Sequence, residues 1–284
     1  MTTNLRKIFL LLVLGLLSLS FIFAGNDIAV SGGRTLSLGR AYTAVRGDVW
    51  ALSYNPASIA FAPHVQVGMF TERRFMMKEL TFGNFSAVVP FKGNHAVGLE
   101  AGSFGFAGYR ETKVSAAYAI HFQKVISIGT KFNFLNTNIE NIGSVAAFSV
   151  DLGLNARISN TLTMGASASN VTLTKFKRLN RQQPIPTVFT AGIAYTPSDK
   201  ILIVADVQKD IAYPVSLRGG IEYKINQIVR ARMGVSSAPL TLNAGIGVEW
   251  KSLAFDFSNS LHEKLGYTPA FSLSYRLGKR EEKR

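Results

Sequence analysis

The side chains of this chain able to do chemistry are charges set at alternate positions. Asp206, Arg218, Glu222, Arg230, Arg232, Glu249, Asp256 and Arg276 fall on the polar side of alternating stretches, as do Glu100, Lys131, Asp151, Arg157 and Lys224. Opposite charges spaced in this way can pair across neighbouring strands as a lattice of ion pairs. They can equally line a site that conducts or binds a ligand, and the sequence leaves both readings open. Metal and nucleophile chemistry find less support. The four histidines, His64, His95, His121 and His262, have no metal-ligand spacing, and there is no cysteine to assist them. The serines are too scattered to single out a Ser–His pair. The glycines of "GLEAGSFGFAGYR" do not open a helix, so they make no nucleotide loop. Neither an enzyme nor a cofactor is expected.

The elements that must position these charges are strands. In "LTLNAGIGVEW" (240–250) Leu240, Leu242, Ala244, Ile246, Val248 and Trp250 alternate with Thr241, Asn243, Gly245, Gly247 and Glu249. "FSVDLGLNAR" and "FSLSYRL" repeat the pattern, which gives each strand one apolar and one polar face. About fourteen such segments begin near His64, Leu80, His95, Tyr109, Lys124, Val145, Thr161, Thr187, Lys200, Val215, Ile228, Leu240, Lys251 and Ala270. The Leu80 segment is apolar on both faces, so its register is not assigned.

Two features separate this pattern from a soluble sandwich. The polar faces are rich in Gly, Ser, Asn and Thr rather than in the Lys and Glu that face bulk water. The connections also alternate: "FKGN", "QK", "SNT" and "PSDK" are tight, whereas "TERRFMMKE", "FGFAGYRE", "NTNIENIGS", "TLTKFKRLNRQQPIP", "QKDIAYP" and "SNSLHEKLGYT" are longer. Short turns on one side and long loops on the other describe an outer-membrane barrel. In hydrocarbon only a closed sheet leaves no unpaired edge. The predicted fold is therefore all-β, a transmembrane antiparallel barrel over residues 63–278, apolar toward lipid and polar toward the lumen. An even strand count returns both chain ends to the periplasm.

Ahead of the barrel, Arg6 and Lys7 precede the apolar run Ile8–Ala24, the layout of a cleaved export signal over residues 1–24. Without cysteine, an exported chain has no disulfide and no lipid anchor through an N-terminal thiol. A net charge of +14, including a basic tail over 279–284, suits anionic partners. Export makes these outer-membrane lipid and lipopolysaccharide rather than nucleic acid. The loop at 174–186 sets Lys175, Lys177, Arg178 and Arg181 among Phe176 and Leu179. That mixture fits either an anionic amphiphile or a basic rim against lipopolysaccharide phosphates.

A barrel this wide is not filled by its own wall side chains, and residues 25–62 are available to fill it. In "SYNPASIAF" Asn55 suits an N-cap, Pro56 the first helical position, and Ala57 to Ala60 a single turn. This compact segment is expected to be a plug, with Asn55, Pro56 and Ala57 as its motif.

A plug ending in Asn-Pro-Ala just before the first strand of such a barrel resembles the FadL family of outer-membrane transporters of hydrophobic compounds. The wording "LSLGRAYTAVRGDVWALSYNPASIAF" and the closing "LHEKLGYTPAFSLSYRL" are most similar to its PorV/PorQ-type relatives, which are associated with type IX secretion. The resemblance implies passive passage of small hydrophobic or amphiphilic molecules across the outer membrane of a Gram-negative-type bacterium. Its nearer form implies an accessory barrel that docks a secretion-system component. It also implies a lateral opening where the third strand kinks, at Gly102, Gly105 and Gly108. The chain departs from the family in its short outer loops and in the residues "GKREEKR" beyond the last strand.

Overall fold

The computed structural model describes residues 31–178 and 181–278. The export signal expected over 1–24 and the tail over 279–284 lie outside the described residues. The strands are β1 (Val65–Arg73), β2 (Thr81–Phe91), β3 (His95–Phe106), β4 (Tyr109–Phe122), β5 (Ile126–Ile139), β6 (Gly143–Arg157), β7 (Leu162–Ser169) and β8 (Lys175–Arg178). They continue as β9 (Arg181–Pro184), β10 (Val188–Ser198), β11 (Ile201–Asp210), β12 (Ser216–Lys224), β13 (Val229–Ser237), β14 (Leu240–Trp250), β15 (Leu253–His262) and β16 (Gly266–Leu277).

Fourteen of them close an antiparallel barrel in chain order, β1 pairing with both β2 and β16. The closing seam runs from Val65 opposite Leu277 to Glu72 opposite Ala270. β8 and β9 form a separate hairpin within the connection from β7 to β10.

Alternation along each strand produces a surface inverted relative to a soluble protein. On β14 Leu242 is 58% exposed and Ile246 46%, while Asn243 between them is 5% exposed. Phe148 and Leu152 on β6 are likewise exposed, with Ser149 and Asp151 buried. Such a continuous apolar exterior is stable in lipid and not in water. Among the described residues no helix is long and apolar enough to cross a membrane.

The expected alternation of loop lengths is corrected. "FGFAGYRE" is nearly all strand, with β3 ending at Phe106 and β4 starting at Tyr109. β5 and β6 similarly leave only 140–142 between them, and β15 and β16 only 263–265, so the last strand starts at Gly266 and not near Ala270. The reason is that the Ser, Asn and Thr residues of these stretches keep alternating with apolar ones. A continued ladder satisfies their backbone groups better than an open loop. Longer connections survive at 74–80, 170–187 and 211–215.

The apolar core lies in the segment before β1. Leu36, Leu38, Tyr42, Val49, Trp50, Leu52 and Ile59 are buried together with Phe70, Phe82 and Val88 of the wall. This segment folds into two short helices, Gly33–Ser37 and Ala51–Tyr54, and a 3-10 turn, Pro56–Phe61. The first helix contacts β13 to β16, and the 3-10 turn contacts β2 to β6. Small wall residues permit that approach. A Cβ on Gly129 would lie 2.6 Å from the Ala57 nitrogen, and one on Gly153 would collide with Asn55 Oδ1.

Candidate functional site

The 3-10 turn starts where Asn55 makes a helical start possible. Its Oδ1 accepts from the Ala57 N–H at 3.1 Å, and Pro56 occupies a position whose N–H would have no partner. The Asn55 Nδ2 donates to the carbonyls of Thr43 (2.8 Å) and Leu154 (2.9 Å). One fully buried side chain thus ties together the turn, the strand wall and the preceding loop. Ser127 Oγ donates to the Ala57 carbonyl at 2.8 Å, adding a second bond to the wall. Arg46 stacks on Phe61, its guanidinium carbon 3.9 Å from the ring centre, and donates to Asn155. Burial, with a smaller contribution from the Arg157 charge, lowers its pKa to about 10.

The charges predicted on the polar register meet one another and this segment. Glu222 on β12 accepts from Arg34 Nε (2.8 Å) and Nη2 (2.9 Å), from Arg232 Nε (2.6 Å) and from Arg230 Nη1 (3.3 Å). Arg232 also donates to Asp256 at 2.6 Å, and Ser272 donates to that same carboxylate at 3.1 Å. Glu249 on β14 takes Arg230 at 2.8 Å and Arg276 at 3.2 Å. Asp206 accepts from the backbone N–H groups of Tyr42 (2.9 Å) and Thr43 (3.1 Å) and from the Thr43 hydroxyl (2.7 Å). Arg218 stands opposite Asp206 across the β11–β12 ladder.

Several members were not singled out from sequence. Arg34 and Asp48, paired at 2.8 Å, sit in the aperiodic segment before the barrel, where no pattern marks them. Glu72, paired with Arg40 (3.2 Å) and Arg74 (2.8 Å), was assigned to a loop. Its inward face follows from the positions Gln66, Phe70 and Glu72 once β1 is extended to Arg73.

A third ionic group underlies a cavity at the barrel end opposite the one where Val65 pairs with Leu277. Lys131 Nζ lies 3.8 Å from Glu100 and 3.4 Å from Asp151, and donates to the Leu52 carbonyl at 3.1 Å. Above it the cavity is walled by Phe82, Phe104, Leu135, Phe176 and Ile185. Phe176 and Ile185 belong to the 170–187 connection and pack on Ala147 of β6. Phe176 is therefore buried inward. Lys175 and Lys177 are exposed, and the side chains of Arg178 and Arg181 lie outside those described.

At Gly102, Gly105 and Gly108, where a lateral opening is expected from the resemblance, the structure shows the following geometry. β3 pairs with β2 from His95 to Phe104 and with β4 from His95 to Phe106 without a register shift. Gly105, with φ +107°, serves the tight end of that hairpin, and Gly108 lies in its turn. Gly102 faces inward, where a Cβ would meet Phe82 at 3.0 Å and Asn84 Oδ1 at 3.1 Å. The third-strand glycines therefore supply a turn and inner space, and the ladder stays closed. Among the described residues the one register shift falls at Tyr195/Ser198, between β10 and β11. Among the described residues no group of His, Asp and Glu is placed to hold a metal ion.

A closed fourteen-stranded barrel, apolar outside and with polar wall residues within, is the architecture of an outer-membrane barrel. Solved structures with this fold include the CymD monoaromatic hydrocarbon channel, 13% identical, with a TM-score of 0.69 over 90% of this chain and all of that one. A Pseudomonas aeruginosa FadL homologue is 12% identical, with a TM-score of 0.67 over 90% of this chain and 100% of that one. The Pseudomonas putida toluene transporter TodX is also 12% identical, at a TM-score of 0.67 over 88% of this chain and 98% of that one. The chain thus has the fold of FadL-type hydrocarbon channels. No family model matches the sequence, and no curated protein matches it either.

Proposed function

We propose that this protein is an outer-membrane channel for small hydrophobic molecules, with residues 25–62 plugging its lumen. The observation that carries the reading is the cavity at the barrel end opposite Val65 and Leu277, apolar at its walls and floored by residues that bond the buried segment. A hydrophobic solute arriving from outside would meet Phe82, Phe104, Leu135, Phe176 and Ile185 first. Concave, mostly apolar sites with a few convergent polar groups are the usual form of small-molecule sites. Residues 1–24 direct export in this reading, and Lys175 and Lys177 face lipopolysaccharide phosphates at the outer rim.

Expression in a bacterial host deprived of its own hydrophobic-solute channels tests the proposal. Uptake of labelled alkylbenzenes should rise several-fold while uptake of a small sugar stays unchanged. A barrel that inserts, shown by faster gel migration unheated than boiled, yet leaves uptake at the host's background would overturn it. A docking role of the PorV/PorQ type rests on the wording of residues 39–61 and 262–277 alone, and the geometry adds no observation to it.

A further inference from the structure

The barrel end where Val65 pairs with Leu277 holds a second cavity, of about 240 Å³. Arg34, Arg46 and Asp48 of the buried segment meet His64, Lys251 and Arg276 of the wall around it. Pro63, Lys251 and Gly278 on its lining are exposed, so the cavity is open to the outside.

The lining carries a surplus of positive charge that can be located. Arg34, Arg230, Arg232 and Arg276 form one connected set of ion pairs with Asp48, Glu222, Glu249 and Asp256, four charges of each sign. Asp48, the one carboxylate on the lining, already accepts from Arg34, from the Tyr42 hydroxyl and from the Trp50 N–H. That leaves Arg46 and Lys251. Arg46 donates only to neutral oxygens, Asn155 Oδ1 and the Val125 carbonyl, and Lys251 lies over the Trp250 ring at 4.7 Å. Neither forms an ion pair among the described residues. The turns between strands at this end add Lys92, Lys124 and Lys200 against Asp199 alone.

We infer that this cavity is a site for a phosphate dianion, the end group of a phosphate monoester. Two cations without carboxylate partners ask for two negative charges, which one such group supplies above about pH 6. Accessible donors are in place for it. Arg276 makes a single bond, to Glu249 at 3.2 Å, and its side chain is 42% exposed. The Lys251 ammonium is exposed and donates no hydrogen bond among the described residues, and Ser252 lines the same space. Arg46, whose nitrogens are engaged or enclosed, contributes charge rather than contacts. A carboxylate or a sulfate ester brings one charge and leaves one cation unmatched. Space is sufficient, since about 150 Å³ already holds benzene. The turn lysines raise the local concentration of anions at the mouth.

The test is calorimetric titration of the intact protein in phosphatidylcholine nanodiscs with methyl phosphate at low salt, empty nanodiscs subtracted. Methyl sulfate, of the same shape with one charge fewer, is the control. At about pH 7.5 methyl phosphate should bind at least about tenfold more tightly, and the preference should shrink at about pH 5, where it too is a monoanion. Lys251→Met and Arg276→Gln should each weaken it about tenfold, the worth of one hydrogen bond between charged groups. Lys92→Met, on a turn outside the cavity, should change it by less than about twofold, as expected of a screened surface charge. Gel migration before and after heating confirms that each variant is folded. Phosphatidic acid added to the nanodiscs separates the sources of the group: competition with methyl phosphate makes it a membrane lipid, and unchanged affinity makes it a solute. Equal affinity for the two esters, or a loss in Lys92→Met as large as in Lys251→Met, would mean diffuse attraction to a basic rim and overturns the site. Absence of binding overturns it too. The outer cavity takes no part in these titrations, so alkylbenzene uptake decides the channel reading separately.

Discussion

Glu222 takes guanidinium groups from three arginines, two on the wall and one on the N-terminal segment. Without it Arg34, Arg232 and Arg230 would keep Asp48, Asp256 and Glu249, but the buried network would hold a positive charge in excess, and breaking a buried ionic group in this way costs up to about 3–5 kcal/mol. Glu222→Gln should therefore lower sharply the temperature at which the fast-migrating folded form is lost on gels. Arg276→Gln removes only a half-exposed partner of Glu249, and exposed pairs are worth about 0–1 kcal/mol. Its melting should be nearly unchanged, and equal losses in the two variants would show that burial does not decide the strength of these pairs. Asn55→Ala deletes an N-cap and two bonds to carbonyls, about 1–2 kcal/mol for the cap alone. Protection of the 51–62 amides from hydrogen exchange should drop while that of the strands persists. The alternation of residues placed Glu222, Arg232 and Asp256 on one face. Their partners were not legible, because pairing depends on strand register and on Arg34, whose surroundings in sequence carry no period.

At the scale of elements, the period of two carried nearly all the information about the wall. Most strand starts fall within one or two residues of the positions read from sequence, since alternation and turn residues agree there. The hairpin of β8 and β9 was missed because "KFKR" and "RQQP" are too short and too charged to alternate visibly. The lipid face makes a direct prediction. Leu242→Arg puts a cation on the exposed apolar side of β14, at about 2–4 kcal/mol near the midplane, and should reduce the folded, membrane-inserted fraction. The inward face is limited by space rather than by charge. Gly153 faces inward, where a charge is not opposed by lipid, but any side chain there collides with Asn55. Gly153→Leu should leave the barrel inserted while exposing residues 51–62 to protease; continued protection would mean that the segment can shift to accommodate it.

At the scale of the whole molecule, two structures are nested: a hydrogen-bonded cylinder and a buried segment of small and apolar residues. Every ladder of the cylinder runs between strands, and no residue from 31 to 62 takes part in one. Closure therefore does not depend on the segment, and only a closed sheet is tolerated in lipid. Deleting residues 32–57 would strip partners from Asp206, Glu222 and Lys131, all of which bond that stretch. Water entering the emptied lumen would hydrate them, so the loss should be felt as lower thermal stability rather than as failure to fold. The same water would connect the two sides of the membrane. In planar bilayers the shortened protein should pass ions with a conductance well above that of the intact chain, and added salt should raise it in proportion. The deletion takes away the cations Arg34 and Arg40 that pair with Glu222 and Glu72, while Arg232 and Lys131 keep their carboxylates on the wall, so the current should shift toward cations at low salt. A shortened barrel that migrates as folded yet conducts no more than the intact one would mean that the hairpin of β8 and β9, with Phe176 beneath it, closes the lumen alone.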